Sequence, residues 1–346
     1  MIKIPIFEKS ILGIDFGSLN IKILETNVDR NNLKVFNFGV VSIINFKEIF
    51  SQTYILEEQL GKMLNDYIIE TKSKTKEAIV SMSASYLFSF NFLVPDIPEK
   101  SLPQVIKFEA QKQIPLSLDE IEIEYRYFPL ELENENRKWI VYLVATPKNY
   151  INKTNSILSL SKLKMIDYSP EYFNFEPFFE KYTGTYAVLD LGHAYSLLVI
   201  IKNGKVIYGN KIKIRGYDYL TSISNLIKLS DEETLNFILK KGFQFLPEEK
   251  ELQQLSNSFL DNIATLVPVE INKVENNFFV KIDKIYWTGS LTILPGFLEN
   301  MLSKLSKYQQ EILLPFDFIK DGKFNNLKQK STIFIHCLGS ILRKLK

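Results

Sequence analysis

Apolar residues in this chain gather into short runs separated by acidic or glycine-containing turns, and the opening run sets the pattern. ILGIDFGSLNIKI at 11–23 is an apolar stretch, then Asp15-x-Gly17, then a second apolar stretch. Such a run predicts two antiparallel strands joined at a tight acidic tip. Strands are expected over 11–16, 20–28 and 33–44, with turn chemistry at 15–18 and 29–32, so the chain begins as a meander. Over 55–71, Ile55, Leu56, Leu60, Met63, Leu64, Tyr67 and Ile68 recur three and four positions apart, which is helical spacing. The stretch 77–82 then reads as a buried strand.

From 84 to 163 the pattern predicts a unit of its own: a strand at 86–94, a helix near 99–113, strands at 120–130 and 138–146 around a polar loop at 131–137, and a helix over 148–161. The opening pattern then returns. AVLDLGHAYSLLVI at 187–200 carries Asp190-x-Gly192 at its tip, within expected strands 185–191, 194–202 and 205–214, and Asn203-Gly204 makes a hairpin turn between the last two. Helices are expected over 217–241 and 251–275, the second bent by Pro268, followed by a strand over 283–288 that ends at Gly289. A closing helix over 331–345 has an apolar stripe of Phe334, Leu338, Ile341 and Leu345, with Arg343, Lys344 and Lys346 at its dipole-negative end. The second half copies the first.

Composition narrows the function classes. At 346 residues the chain can form about two domains, and 46% hydrophobic residues with 26 Phe and 17 Tyr make it a folded protein. Lys plus Arg at 42 nearly balances Asp plus Glu at 40, so the broad positive field of a nucleic-acid binder is missing. No apolar stretch reaches the roughly 18–20 residues of a membrane span. The start, MIKIPIFEKS, has no signal-peptide h-region, and the single cysteine cannot form an internal disulfide, so a cytoplasmic protein is expected.

The candidate chemistry lies at the repeated tips. Gly17 and Gly192 can take positive φ and bring backbone N–H groups close to an anion, while Asp15 and Asp190 can hold a hydrated divalent cation. Ser18, Asn20 and Ser196 can add hydrogen bonds to phosphate oxygens. One Asp-x-Gly is ordinary turn chemistry. Two in matching strand contexts suggest a nucleotide gripped between two similar halves. A third element, Thr288-Gly289-Ser290, ends a strand where a glycine lets a flat base or ribose lie on the backbone. Two histidines and one cysteine show no zinc spacing, His193 reads as a polar turn residue, and neither a P-loop nor a G-x-G-x-x-G occurs.

Asp15-x-Gly17, Asp190-x-Gly192 and Thr288-Gly289 occur in the order of the two phosphate motifs and the adenosine motif of the actin, hexokinase and heat-shock chaperone superfamily. Within it the chain resembles the PilM family of type IV pilus assembly. QVIKFEAQKQIPLSLDEIEIEY at 104–125 is similar to that family's insert, and Val144-Ala145-Thr146-Pro147-Lys148 to its strand-to-helix junction. The resemblance runs from Leu12-Gly13 to the final helix.

It implies an α/β actin-like ATPase fold of duplicated ribonuclease H-like domains with an FtsA-type inserted subdomain. The lobes would be 1–83 plus 164–184 and 185–346, with the insert at 84–163. It implies ATP with Mg²⁺ in the interlobe cleft, on Asp15, Gly17, Ser18, Asn20, Lys22, Asp190, Gly192, Ser196, Gly216, Gly289 and Ser290, with Asp15 and Asp190 reaching the ion through water. The expected partner is the N-terminal tail of a PilN-like inner-membrane protein, in a groove using Phe108, Gln111, Ile114 and Pro115, with self-association left open. The chain would sit at the inner face of the cytoplasmic membrane through that partner. Two departures stand out: Ser290 replaces the second glycine of the adenosine motif, and Ser169 of Asp167-Tyr168-Ser169-Pro170 stands where the family carries an acid. Glu171, at the start of a helix, is expected to point elsewhere. ATP binding with slow or no hydrolysis follows, the loss of a positioned base costing roughly 10²- to 10⁴-fold. An FtsA-like division protein, with the closing helix on a membrane, a type II secretion platform component and a small-molecule kinase are the alternatives. The kinase lacks a recognisable carboxylate base, and no catalytic residue is assigned.

Overall fold

The computed structural model describes residues 10–27, 33–43, 53–130, 138–319 and 322–345. The expected turn at 29–32 and polar loop at 131–137 lie outside these. The opening meander forms β1 (Ser10–Phe16), β2 (Asn20–Asn27) and β3 (Val35–Ser42), followed by α1 (Thr53–Glu70) and β4 (Glu77–Met82). The intervening unit supplies β5 (Phe88–Pro95), α2 (Leu102–Gln113), β6 (Ile121–Leu130) and β7 (Lys138–Pro147). Then come α3 (Lys148–Leu160), β8 (Lys164–Pro170) and the short α4 (Glu176–Phe179). The second half contains β9 (Thr185–Leu191), β10 (Ser196–Lys202), β11 (Lys205–Ile212), α5 (Gly216–Ile227), α6 (Asp231–Lys241), α7 (Lys250–Phe278), β12 (Lys284–Thr288), α8 (Phe297–Lys304), β13 (Gln310–Ile312) and α9 (Ile335–Lys344).

The duplication expected from the two tips is present in the sheets. One has the order β3-β2-β1-β4-β8 and the other β11-β10-β9-β12-β13. In each, the first three strands are antiparallel neighbours and the last two run parallel to the central one. Both acidic tips therefore leave the same end of a central strand. β8, for which the pattern predicted no strand, completes the first sheet. The expected helix over 217–241 is two helices, because Lys228 takes the left-handed conformation that ends α5 and Ser230 with Glu233 forms the capping box that starts α6. α7 continues through Pro268.

Two domain boundaries differ from those expected. Insert residues Val94, Leu102, Ile106, Val141 and Leu143 form a separate core, whereas Ile157 and Leu158 of α3 are buried with Leu60 and Leu64 of α1. The unit with its own core thus ends at β7, and α3 belongs with the first lobe. α9 likewise packs chiefly on β1, β4 and the 171–175 segment of the first lobe, and reaches the second sheet through His336 at Asp190. Small residues permit this approach: a Cβ on Gly339 would lie 2.0 Å from the Asn174 carbonyl oxygen, and one on Gly13 would lie 2.4 Å from that of Cys337. Three members of the expected stripe, Phe334, Leu338 and Ile341, are buried at this contact.

Candidate functional site

Both tips open on one cleft. Asp15, Gly17, Ser18, Asn20 and Lys22 line it from the first lobe, and Asp190, Gly192, His193 and Tyr195 from the second. Gly289, Ser290, Glu171 and His336 line it as well. It encloses about 690 Å³, part of it open solvent.

Each aspartate already faces a cation, and the two are supplied differently. Asp15 lies opposite Lys22 in the β1–β2 register, and Lys22 Nζ is 2.8 Å from its Oδ2. The corresponding partner of Asp190 across β9–β10 is Leu197, which has no charge. His336 from α9 takes that place, with Nε2 2.8 Å from Asp190 Oδ2 and 3.2 Å from Glu171 Oε1. Glu171 Oε2 accepts hydrogen bonds from the Ala84 N–H and the Tyr195 hydroxyl, both at 2.7 Å. The same hydroxyl is 2.7 Å from Ser83 Oγ, so one second-lobe side chain bonds the first lobe twice.

Burial alone would lower the His336 pKa, but the charge of Glu171 and then the hydrogen bond and charge of Asp190 outweigh it and raise it to about 9. Glu171 is pushed up, first by burial and then by Asp15 and Asp190, against the opposing pull of His336. For Lys22 burial is again the largest influence, yet the Asp15 carboxylate overcomes it and raises the pKa. His193 is the opposite case: burial carries it down to about 4, so it is neutral.

Several expectations about individual residues are corrected. Ser196 does not line the cleft; its hydroxyl donates to the Ile214 carbonyl. Gly216 is also outside, donating its N–H to the Gly192 carbonyl and so bracing the tip from behind. Neither tip glycine takes positive φ. Their requirement is close approach, since a Cβ on Gly192 would meet the Tyr195 carbonyl oxygen at 2.4 Å. Gly289 does have φ 90° and ψ −178°, but its missing Cβ makes room for protein: it would lie 2.2 Å from Asp190 Oδ1. Asp15 is turned to Lys22, and the three groups whose donor atoms lie within 4.8 Å of one another are Glu171, Asp190 and His336.

Glu171, expected to point elsewhere, lines the cleft instead. Ser169 hydrogen-bonds Asn174 and Arg343, whereas Pro170 ends β8 and the following turn of 3₁₀-helix delivers Glu171 into the cleft. Sequence reasoning also missed His336 and Tyr195. The available signal for His336 was a titratable residue in a terminal helix whose neighbours Cys337, Gly339 and Ser340 are all small. In the expected partner groove, Phe108 is 57% exposed with Lys112 Nζ 4.5 Å from its ring centre, and Gln111 and Pro115 are exposed. Ile114 is not available there, being buried in the insert core.

The residues fit a polyphosphate: two tips line one cleft at the ends of central strands, and Lys22 lines it beside Asp15 of the first tip. They fit a divalent ion less directly, since one oxygen of each aspartate already faces Lys22 or His336. An ion beside the phosphates would reach Asp15 and Asp190 through water, as Mg²⁺ commonly does.

A family model described as type IV pilus assembly protein PilM matches residues 13–345. A solved PilM-PilN type IV pilus biogenesis complex is similar at 15% identity and a TM-score of 0.80, covering 98% of this chain and 99% of that one. The ethanolamine utilization protein EutJ from Carboxydothermus hydrogenoformans is similar at 11% identity and TM-score 0.58, covering 98% and 91%. MreB5 of Spiroplasma citri bound to ADP is similar at 9% identity and TM-score 0.51, covering 96% and 95%. The fold is the actin-like ATPase fold. Among the described residues, no helix is long and apolar enough to cross a membrane.

Proposed function

Since the chain belongs to the type IV pilus assembly protein PilM family, we propose that it is an ATP-binding scaffold of the pilus inner-membrane platform. Its insert would bind the N-terminal tail of a PilN-like protein, a partner suggested by the similar PilM-PilN complex, and that partner would hold it at the cytoplasmic face of the membrane. The supporting observation is the meeting of both Asp-x-Gly tips on one cleft that Lys22 also lines. Backbone of the tips positions the phosphates, and the Lys22 ammonium supplies positive charge beside them. Mg²⁺, when present, would neutralise phosphate charge and be held by Asp15 and Asp190 through water. Glu171 already has three neighbours on its two oxygens, from Ala84, Tyr195 and His336, so it is poorly placed to act as a free base. Slow hydrolysis is the expectation, now for this reason.

Titration calorimetry with ATP and Mg²⁺ tests the cleft. Lys22→Met is expected to weaken binding about tenfold or more, through loss of a charge-assisted contact of about 1.5–3 kcal/mol. Unchanged affinity in that variant would remove the cleft reading. Capture of a synthetic PilN-type tail, weakened by Phe108→Ala, tests the insert separately; capture unaffected by that change would move the partner site elsewhere.

A further inference from the structure

We propose that the end of the first sheet opposite the cleft is a docking surface for an anionic lipid bilayer, held by a row of five lysines. This surface rests on neither the nucleotide nor the partner reading. β1, β4 and β8 run parallel, so their starts lie at the end away from the Asp15 tip. Two loops close that end: 71–76, between α1 and β4, and 161–163, between α3 and β8. The first crosses beneath the sheet. The Thr71 carbonyl accepts from Asn37 of β3 at 3.5 Å, the Lys74 N–H donates to Glu25 Oε1 of β2 at 3.3 Å, and the Lys76 carbonyl accepts from the Lys164 N–H at 2.7 Å, where β8 begins. Lys72, Lys74, Lys76, Lys162 and Lys164 are all exposed along this path. Strands spaced about 4.8 Å apart spread such a row over roughly 20 Å from β3 to β8.

Charge and composition favour this occupant. Residues 70–77 and 161–164 hold five lysines against two glutamates, Glu70 and Glu77, while Glu25 is taken by the Ser10 hydroxyl and the Lys74 N–H. Among the described residues, none of the five ammonium groups is paired with a carboxylate. The whole chain has a net charge of only +2, so positive charge is concentrated at this end. A small anion cannot span the row, whereas a bilayer of anionic headgroups meets every lysine at once, each strengthening partitioning about fivefold. The two loops contain no arginine and no aromatic residue, the types that protein interfaces favour, and lysine is a type they disfavour. Beside the row Ile69, 64% exposed in the last turn of α1, offers an apolar side chain to the headgroup boundary, where the lysine stems also fit. Lys72 and Lys162 occupy equivalent points, each just past its helix in the left-handed conformation, with φ 53° and 58°. The Ser73 N–H returns to the Ile68 carbonyl and the Leu163 N–H to that of Leu158, an arrangement in which glycine is the favoured left-handed residue. Lys72→Gly with Lys162→Gly therefore removes two charges while easing the backbone.

The test is flotation of the full chain, without partner or nucleotide, on vesicles of phosphatidylglycerol mixed with phosphatidylcholine, against phosphatidylcholine alone. Binding is expected on the mixed vesicles only, and to fall steeply with salt as the screening length shortens from about 10 Å at 0.1 M to about 3 Å at 1 M. Lys72→Gly with Lys162→Gly is expected to partition on the order of 20-fold more weakly, with an unchanged or higher melting temperature. Cys337 is the only cysteine and is buried, so Ile69→Cys takes a polarity-sensitive label at one place, whose emission is expected to shift to the blue on the mixed vesicles. Equal binding to both kinds of vesicle, binding to neither, or undiminished binding in the double variant overturns the proposal. So does tighter binding to polyglutamate or duplex DNA than to the mixed vesicles, which would assign the row to a soluble polyanion. Failure of ATP or PilN-type tail binding in separate titrations would leave this result standing.

Discussion

At the scale of single residues, the cleft is built from neighbours in register and from one residue brought from far along the chain. Lys22 was readable because a residue opposite Asp15 across a hairpin is fixed by local pairing. His336 was not, because 146 positions separate it from Asp190 and only the crossing of α9 onto the first lobe joins them. Gly289 shows a subtler gap: its glycine was recognised, but the atom occupying the space of its missing Cβ is Asp190 Oδ1. Its backbone lies in a region that side chains rarely enter, at a cost of about 1–3 kcal/mol, and the overlap with Asp190 adds to that. Gly289→Ala is therefore expected to lose about 3 kcal/mol of stability in denaturant titration. A loss below about 0.5 kcal/mol would show that the β12 end relaxes freely.

Among the elements, strands were the most readable, since alternation and paired turns specify them locally. Ownership of the helices was not, because α3 follows an insert strand yet packs on α1, and α9 ends the second half yet packs on the first. The amphipathic pattern says which face of a helix is buried, not against which partner. Insert and first lobe are further joined by Arg126 of β6, whose guanidinium contacts both oxygens of Glu176 at 2.7–2.8 Å and stacks 4.4 Å from the Phe173 ring centre. Burial would raise the Glu176 pKa, but the hydrogen bond and charge of Arg126 prevail and hold it below the ordinary 4.5. A depressed carboxylate contributes stability above pH 4.5 that is lost as pH falls through its folded value. Glu176→Gln is expected to flatten that acid limb in a pH series of melting temperatures. Arg126→Met leaves a buried carboxylate short of its main partner and is expected to cost about 3 kcal/mol at neutral pH. Equal acid limbs in Glu176→Gln and the unmutated protein would assign the loss to other carboxylates.

For the whole molecule, the relation between lobes matters more than either lobe alone. Two similar sheets could be inferred from two copies of one pattern, but not how they are held, which depends on contacts between distant segments. Tyr195 lies on the second-lobe tip, and its hydroxyl bonds Ser83 and Glu171 of the first lobe, both at 2.7 Å. Opening the cleft breaks both bonds at once, whereas folding of each lobe depends on neither. Tyr195→Phe keeps the ring and removes only the hydroxyl, so its effect should fall on opening. One hydrogen bond to a charged group contributes about 1.5–3 kcal/mol, and water recovers part of this on opening, so a net shift of about 1.4 kcal/mol is reasonable. That corresponds to about a tenfold larger open population. In the variant, release of a fluorescent ATP analogue is expected to be about tenfold faster, and backbone amides near Gly192 and Ala84 should exchange hydrogen faster by a similar factor. Amides in the centre of β1 and β9 should keep their protection, since the sheets are not held by this contact. Uniform loss of protection across both sheets would make Tyr195 a general stabiliser, and unchanged exchange at the tips would show that the lobes are held shut by other contacts.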